Sequence, residues 1–176
     1  MLNEKYQNVI IVSETDIANA QADVIVNSSN GVGYMGGKRS IKKRCRGVAE
    51  SLNYYTKGEI EREAMQKARR FPFVSSWICG TAKGGYFITG PHRLDCKCVF
   101  HAVTMSKPAS RSSYQTVKKT LDHLGTFLND NDYRTVVLPM LGCGNGALDP
   151  KHVLHMIQEF AKNFPLITFY VYLGAD

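Results

Sequence analysis

The sequence predicts an α/β fold, a three-layer α/β/α sandwich around a central mixed, largely parallel sheet. Short apolar runs alternate with amphipathic segments along the chain, which is typical of strands connected by helices. The run at 23–27 (DVIVN) has an uninterrupted apolar centre, as expected of a strand that is covered on both faces. Glycine-rich stretches follow two of the predicted strands. We expect a single domain over residues 1–176.

The individual elements follow from apolar periodicity and from residues that start or stop helices. Strands are predicted at 9–12, 23–27, 74–79, 86–89, 98–104, 134–140 and 166–173. Helices are predicted at about 40–52, 59–70 and 113–129. A further helix begins at Asp149 and Pro150, because aspartate caps a helix and proline is tolerated in its first turn. Trp77 is assigned to the core.

The composition excludes several classes of protein. With 44% hydrophobic and 21% charged residues, the chain is typical of a globular domain. No apolar run is long enough to cross a bilayer and no signal peptide is evident, so we expect no membrane association and a cytoplasmic monomer. The five cysteines form no CxxC pair, which argues against a disulfide framework or a zinc site. No metal and no cofactor is expected, whereas the net charge of +7 favours anionic partners.

Two glycine-rich loops after buried strands carry the functional signal. We define the first loop as residues 27–37 (NSSNGVGYMGG) and the second loop as residues 141–148 (LGCGNGAL). Ligands of open α/β sheets bind beyond the carboxyl ends of the strands, and glycine lets backbone N–H groups approach a phosphate closely. Two such loops suit a diphosphate, although the glycines could also serve only tight turns. Gly144 is expected to adopt a positive φ, which a β-branched side chain would resist.

A dinucleotide-binding oxidoreductase is disfavoured despite a matching glycine pattern. Gly31, Gly33 and Gly36 have the spacing of the Rossmann fingerprint. Four residues separate Val26 from Gly31, however, where the fingerprint needs an immediate turn. The acidic residue expected at the end of a second strand is also missing.

The ordered set of motifs resembles the macrodomain family. TDI followed by DVIVNSSN is similar to the family's GDI and DAIVNAAN, with the usual eleven-residue step from Asp16 to Asn27. The segments CGTA and VFHAV resemble the family's central G-x-A and VIHAV stretch. LPMLGCG resembles the second phosphate loop, in the P-x-I-G-C-G form of a subclass that includes ADP-ribosyl hydrolases. The resemblance covers nearly the whole chain and implies binding of ADP-ribose or of an ADP-ribosylated macromolecule.

The resemblance also implies a role for each site residue. Asp16 would accept a hydrogen bond from the adenine amino group, and Ile17 would line the adenine pocket. Asn30 would hold the distal ribose, with Tyr34 as a candidate aromatic neighbour. The other implied ligand-binding residues are Asn27, Gly36 and Gly37 in the first loop, and Gly142, Cys143, Gly144, Asn145 and Gly146 in the second. Asp16 and Asn30 have structural alternatives, as a cap and as an Asx turn.

Departures from the family pattern leave catalysis open. Family hydrolases often carry an acid just after the first glycine run, where this chain has Lys38 and Arg39. The candidate catalytic residues are then Asn30 and Lys83, a lysine that could attack a sugar carbon or simply be an exposed turn residue. The candidate reactions are removal of ADP-ribose from a protein or nucleic acid, and removal of phosphate from ADP-ribose 1″-phosphate. The alternative is a reader without turnover.

Three further features have competing interpretations. The basic segment, defined as residues 38–46, is either a solvated helix face or a platform for nucleic acid, so a nucleic-acid-binding module is another alternative. It contains Lys38, Arg39, Lys42, Lys43, Arg44 and Arg46. Cys143 could be a thiolate stabilised by backbone amides, although the resemblance implies backbone contact only. His101, in an apolar strand, is predicted to be a packed histidine rather than a base.

Overall fold

A six-stranded, mostly parallel sheet forms the centre of the protein. The structure, a computed structural model, describes residues 7–13, 15–45 and 47–174. The strand order is β1-β6-β5-β2-β4-β3; β3 runs antiparallel to β4 and the remaining pairs are parallel. The strands are β1 (Val9–Val12), β2 (Val24–Asn30), β3 (Tyr86–Thr89), β4 (Cys98–Met105), β5 (Thr135–Pro139) and β6 (Thr168–Tyr172). The predicted α/β fold with a mixed, largely parallel sheet is confirmed.

Helices cover both faces of this sheet. They are α1 (Gly37–Lys42), α2 (Val48–Tyr55), α3 (Glu59–Lys67), α4 (Tyr114–Asn129) and α5 (Pro150–Ala161), with a short 3₁₀ helix at Ile17–Asn19. Two apolar clusters separate the layers. In one, Val24 and Val26 of β2 pack with residues of α4 and α5; in the other, Ile25 packs with residues of α2 and α3. The alternation along β2 therefore gives one strand two buried faces.

Local signals in the sequence set several helix starts. The side chain of Asp149 accepts a hydrogen bond from the backbone of Lys151, and Pro150 occupies the first turn of α5, as predicted. Ser113 caps α4 in the same way through the N–H of Thr116. None of the helices within the described residues is long and apolar enough to cross a membrane.

The predicted helix at 40–52 is wrong, since two helices occupy this stretch. The chain leaves helical geometry at Lys43 (φ −139°, ψ 127°) and re-enters it after Gly47. Closely spaced basic side chains repel one another, and glycine is a poor helix former, so the segment between α1 and α2 has little reason to continue the helix. A separate helix, α2, therefore begins after Gly47.

The predicted strand at 74–79 does not form. Its residues make turns instead, with the N–H groups of Ile78 and Cys79 donating to the carbonyl of Ser75. Trp77 is 44% exposed and lies against Tyr34, with ring centroids 5.7 Å apart, so its assignment to the core is wrong. A run of residues with high β-propensity forms a strand only where it can pair with a neighbouring strand. Here the backbone hydrogen bonds are made locally, in turns around Ser75.

Candidate ligand-binding cleft

A two-lobed cleft opens where β2 and β5 end. The larger lobe has a volume of about 710 Å³ and the smaller lobe about 250 Å³. The two lobes are continuous, because five residues line both of them: Gly47, Val48, Pro139, Met140 and Gly144. A concave site of this size at the carboxyl ends of parallel strands suits an extended small-molecule ligand.

Asp16 and Ile17 line the larger lobe. The Asp16 carboxylate, only 6% exposed, accepts hydrogen bonds from the backbone of Ala18 at 3.0 Å and from the Ser51 hydroxyl at 2.6 Å. It also forms an ion pair with Arg44 at 2.6 Å. Asp16 therefore caps the 3₁₀ helix and faces the cleft at once. Arg44 is a cleft residue that sequence reasoning missed, because its position depends on the break between α1 and α2.

Asn30 and Tyr34 line the smaller lobe. The Asn30 side-chain oxygen accepts hydrogen bonds from the backbone N–H groups of Val32 (3.1 Å) and Tyr34 (3.2 Å). Its amide nitrogen donates to the Tyr34 carbonyl at 2.8 Å. Asn30 thus makes the Asx-type turn considered as its alternative, and one amide hydrogen is left for a ligand.

The amides of the first loop are largely committed within the protein. The N–H groups of Met35 and Gly37 both donate to Oε2 of Glu61 in α3, at 2.5 Å and 2.9 Å. Gly37 does not line either lobe, and its predicted phosphate contact stays a prediction. Gly36 does line the smaller lobe, and its N–H has no partner within the described chain. No local signal reveals Glu61, which lies on another helix.

Four residues of the second loop also have committed amides, and in two of them, Ala147 and Leu148, the N–H donates to a carbonyl of the loop itself. The N–H of Gly142 donates to the hydroxyl of Ser28 at 3.2 Å, and the N–H of Cys143 donates to the Met140 carbonyl at 3.1 Å. Backbone contact with a phosphate was predicted for Gly142 and Cys143, but these two donors already serve the loop itself. Ser28 was missed because only the folded sheet brings β2 beside the second loop.

The next three amides of the second loop are unpaired. Gly144 and Asn145 line the cleft, and Gly144 belongs to both lobes. Gly144 does not have the expected positive φ, and a Cβ added there would meet nothing within 4 Å. The backbone N–H groups with no hydrogen-bond partner in the described part of the chain are those of Gly144, Asn145 and Gly146. This stretch is the part of the second loop that can receive an anion.

The N-terminus of α2 lines the same smaller lobe. Gly47 is its N-cap and provides no side-chain cap, and the first-turn residues Val48, Ala49 and Glu50 all line the lobe. Their N–H groups have no partner within an α-helix, and a helix N-terminus carries partial positive charge. The predicted helix at 40–52 concealed this feature, because it placed no helix start at Gly47.

Comparison with known proteins settles the family. The sequence model of the Macro domain matches residues 26–157, from β2 into α5. This chain belongs to the macrodomain family. A protein of Aquifex aeolicus (strain VF5), described as uncharacterized, is 33% identical over 158 residues, which cover 89% of this macrodomain and 83% of that protein.

Solved structures show the same fold. The macrodomain of Mycobacterium tuberculosis DarG superposes with a TM-score of 0.75 at 20% identity, covering 93% of this chain and 96% of that one. A Trypanosoma brucei macrodomain in complex with ADP-ribose superposes with a TM-score of 0.68 at 15% identity, covering 96% of this chain and 66% of that one. At these identities the likeness establishes the fold alone.

Four predicted site residues of the macrodomain lie outside the cleft lining: Gly37, described above, Gly146, Asn27 and Lys83. Asn27 is fully buried, with its amide nitrogen 3.1 Å from Nδ1 of His101, whose Nε2 is 2.9 Å from the Thr89 hydroxyl. Lys83 is exposed in the turn before β3. Asn27 is thus buried beside His101, and Lys83 has the exposed turn position considered as its alternative; their implied roles toward a ligand stay predictions.

Burial keeps two titratable side chains neutral. It lowers the pKa of His101 to about 3, which agrees with the prediction of a packed histidine. Burial, with a smaller contribution from Asp149, raises the pKa of the Cys143 thiol to about 11. Cys143 is therefore protonated at neutral pH, and the thiolate interpretation is wrong.

The basic segment divides between the surface and the cleft. All five described basic residues are exposed, and Arg44 also lines the larger lobe. Arg46 lies outside the described residues. Among the residues that the structure describes, no group of three or more histidine, cysteine or acidic side chains is arranged to hold a metal ion.

Proposed function

We propose that this macrodomain binds ADP-ribose, free or attached to a macromolecule, with the diphosphate between the second loop and the N-terminus of α2. The observation that carries the proposal is that unpaired N–H groups from both elements line one lobe of the cleft. Backbone amides arranged in this way bind phosphate oxygens without a metal or a cationic side chain. The ADP-ribose complex of the Trypanosoma brucei relative supports the same choice of ligand.

The two lobes give the ligand a direction. The larger lobe offers Asp16 as a hydrogen-bond acceptor and apolar contacts from Ile17 and Val48, which suit an adenine ring with an exocyclic amino group. The smaller lobe offers the remaining Asn30 amide hydrogen and the Tyr34 side chain, which suit the distal ribose. The diphosphate then lies where the lobes meet, beside Gly144.

Calorimetric titration with ADP-ribose and with AMP tests this proposal. We expect a micromolar dissociation constant for ADP-ribose, about −7 to −8 kcal/mol. AMP should bind at least about tenfold more weakly, because it lacks the second phosphate and the distal ribose. Equal affinities would mean that the smaller lobe takes no part in binding and would contradict the proposed orientation.

A second candidate function is hydrolysis at the distal ribose. Glu50 carries the one carboxylate among the described residues lining the smaller lobe, and it has no hydrogen-bond or ion-pair partner in that part of the chain. As a general base it would take a proton from a water that attacks C1″. The bond from C1″ to the acceptor breaks, and the acceptor leaves with a proton. Sequence reasoning missed Glu50 because it sought an acid inside the glycine loops.

Turnover is tested with ADP-ribosylated protein, ADP-ribosylated DNA and ADP-ribose 1″-phosphate. If Glu50 is the base, Glu50→Gln lowers the rate about 100-fold and leaves ADP-ribose affinity nearly unchanged. Lys83→Ala is the control and should keep full turnover, because Lys83 lies outside the cleft. No release from any of the three substrates by the unmodified protein would leave the reader function alone.

The exposed lysines and arginine of the basic segment favour a nucleic acid as the macromolecule to which the ADP-ribose is attached. They follow the first loop directly, so their charge lies near one wall of the smaller lobe. Contacts with phosphates release counterions, which would make affinity for ADP-ribosylated DNA steeply salt-dependent and affinity for free ADP-ribose only weakly so. Titrations at two salt concentrations distinguish this acceptor from a protein.

A further inference from the structure

The first loop is held by a carboxylate from outside the cleft. Oε2 of Glu61 accepts hydrogen bonds from the N–H groups of Met35 and Gly37, the two residues that flank Gly36. Glu61 lies in the first turn of α3 and does not line either lobe, whereas Met35 and Gly36 do line the smaller lobe. The carboxylate thus holds the loop from outside the cleft.

Other side chains complete this arrangement. Asn30 engages the N–H groups of Val32 and Tyr34, and the Ser40 hydroxyl is within 3.0 Å of the carbonyls of Met35 and Gly37. Between Val32 and Gly37, only the Gly36 N–H lacks a partner within the described chain. Because the amides on both sides of Gly36 point to Glu61, that single donor is held in place on the cleft wall.

We infer that Glu61 is a positioning residue that shapes the first loop for the distal ribose rather than leaving its amides to a phosphate. This role rests on the proposed binding of ADP-ribose. Without the carboxylate, Met35 and Gly37 have no acceptor, and the loop loses the two charge-assisted bonds that orient Gly36 and Tyr34. The lost binding energy is that of the distal half of ADP-ribose, since the second loop makes no hydrogen bond with Glu61 within the described residues.

The test compares ADP-ribose with AMP on Glu61→Ala and Glu61→Gln. Glu61→Ala is expected to weaken ADP-ribose binding about 10- to 100-fold and to leave AMP affinity within about twofold. Glu61→Gln retains one acceptor oxygen of the same shape and should give an intermediate loss. Glu63→Ala is the matched control. Glu63 lies on the same helix, but its carboxylate accepts hydrogen bonds from the Gly90 N–H and the His92 ring, so the affinities for ADP-ribose and AMP should both stay unchanged.

The outcomes separate this inference from the proposed function. If the unmodified protein binds no ADP-ribose, the proposed function fails and this role with it. If it binds and Glu61→Ala binds ADP-ribose equally well, only the role of Glu61 is overturned. An equal loss of both ligands would also overturn it, because the effect would then be global. If Glu61→Ala does not fold, the same comparison is made with Glu61→Gln, which preserves the side-chain volume.

Discussion

Replacement of Gly144 by valine is expected to weaken ADP-ribose binding by at least about 100-fold while the protein stays folded. Gly144 lies where the two lobes meet, and a Cβ there would meet no protein atom within 4 Å. Its φ is not positive, so the backbone can accept a side chain without strain. The valine side chain would therefore occupy the open space that the diphosphate needs.

Calorimetry and thermal unfolding of the same samples check this expectation. Gly144→Ala provides a graded step, because a single methyl group fills less of the junction and should cost less affinity than valine. A folded Gly144→Val protein that binds ADP-ribose like the unmodified protein would show that the second loop does not carry the diphosphate. A lower melting temperature would instead show that the loop has a structural role.

Gly31→Ala should have the opposite outcome, a large loss of stability. A Cβ at Gly31 would overlap the carbonyl oxygen of Thr81 and would lie 2.9 Å from that of Ser106, so backbone on both sides must move. The Gly31 carbonyl also accepts the Thr81 N–H at 2.8 Å, which ties the first loop to the segment before β3. We expect the free energy of unfolding to fall by about 3 kcal/mol, measured by urea denaturation.

Gly144→Ala is the matched control for this measurement. It is the same chemical change at a glycine of the other loop, where nothing opposes the new methyl group. Its free energy of unfolding should change by less than about 1 kcal/mol. If Gly31→Ala were as stable as Gly144→Ala, the close approach of the first loop to Thr81 would be incorrect.

Local sequence signals predicted the elements that they alone determine. Val24, Ile25 and Val26 are wholly buried because the sheet is covered on both faces, and an uninterrupted apolar run carries that information. Asp149 and Pro150 act within one helix turn, so the start of α5 is also local. The helix break before Gly47 follows from closely spaced basic residues and glycine, and the turns around Trp77 follow from hydrogen bonds to Ser75; apolar periodicity reveals neither.

The residues of the candidate site also divide into those that sequence motifs indicated and those that only the folded structure reveals. Asp16, Ile17 and Gly144 lie in the cleft, at positions where the motifs indicated ligand contacts. Ser28, Glu50 and Glu61 were missed because each acts on or beside a segment distant in sequence. Glycine content made the two loops look alike, but hydrogen-bond partners make them different. The amides of the first loop serve mainly internal acceptors, whereas those of Gly144, Asn145 and Gly146 in the second loop remain available within the described chain.

The most direct test of this asymmetry follows the backbone amides by ¹H–¹⁵N NMR while ADP-ribose is added. If the diphosphate rests on the second loop and the start of α2, the amide protons of Gly144, Asn145 and Val48 should shift strongly downfield on hydrogen bonding to phosphate oxygens. Those of Met35 and Gly37 should stay nearly in place, because they already donate to Glu61. Large downfield shifts at Met35 and Gly37, with none at Gly144 and Asn145, would contradict the proposed binding mode.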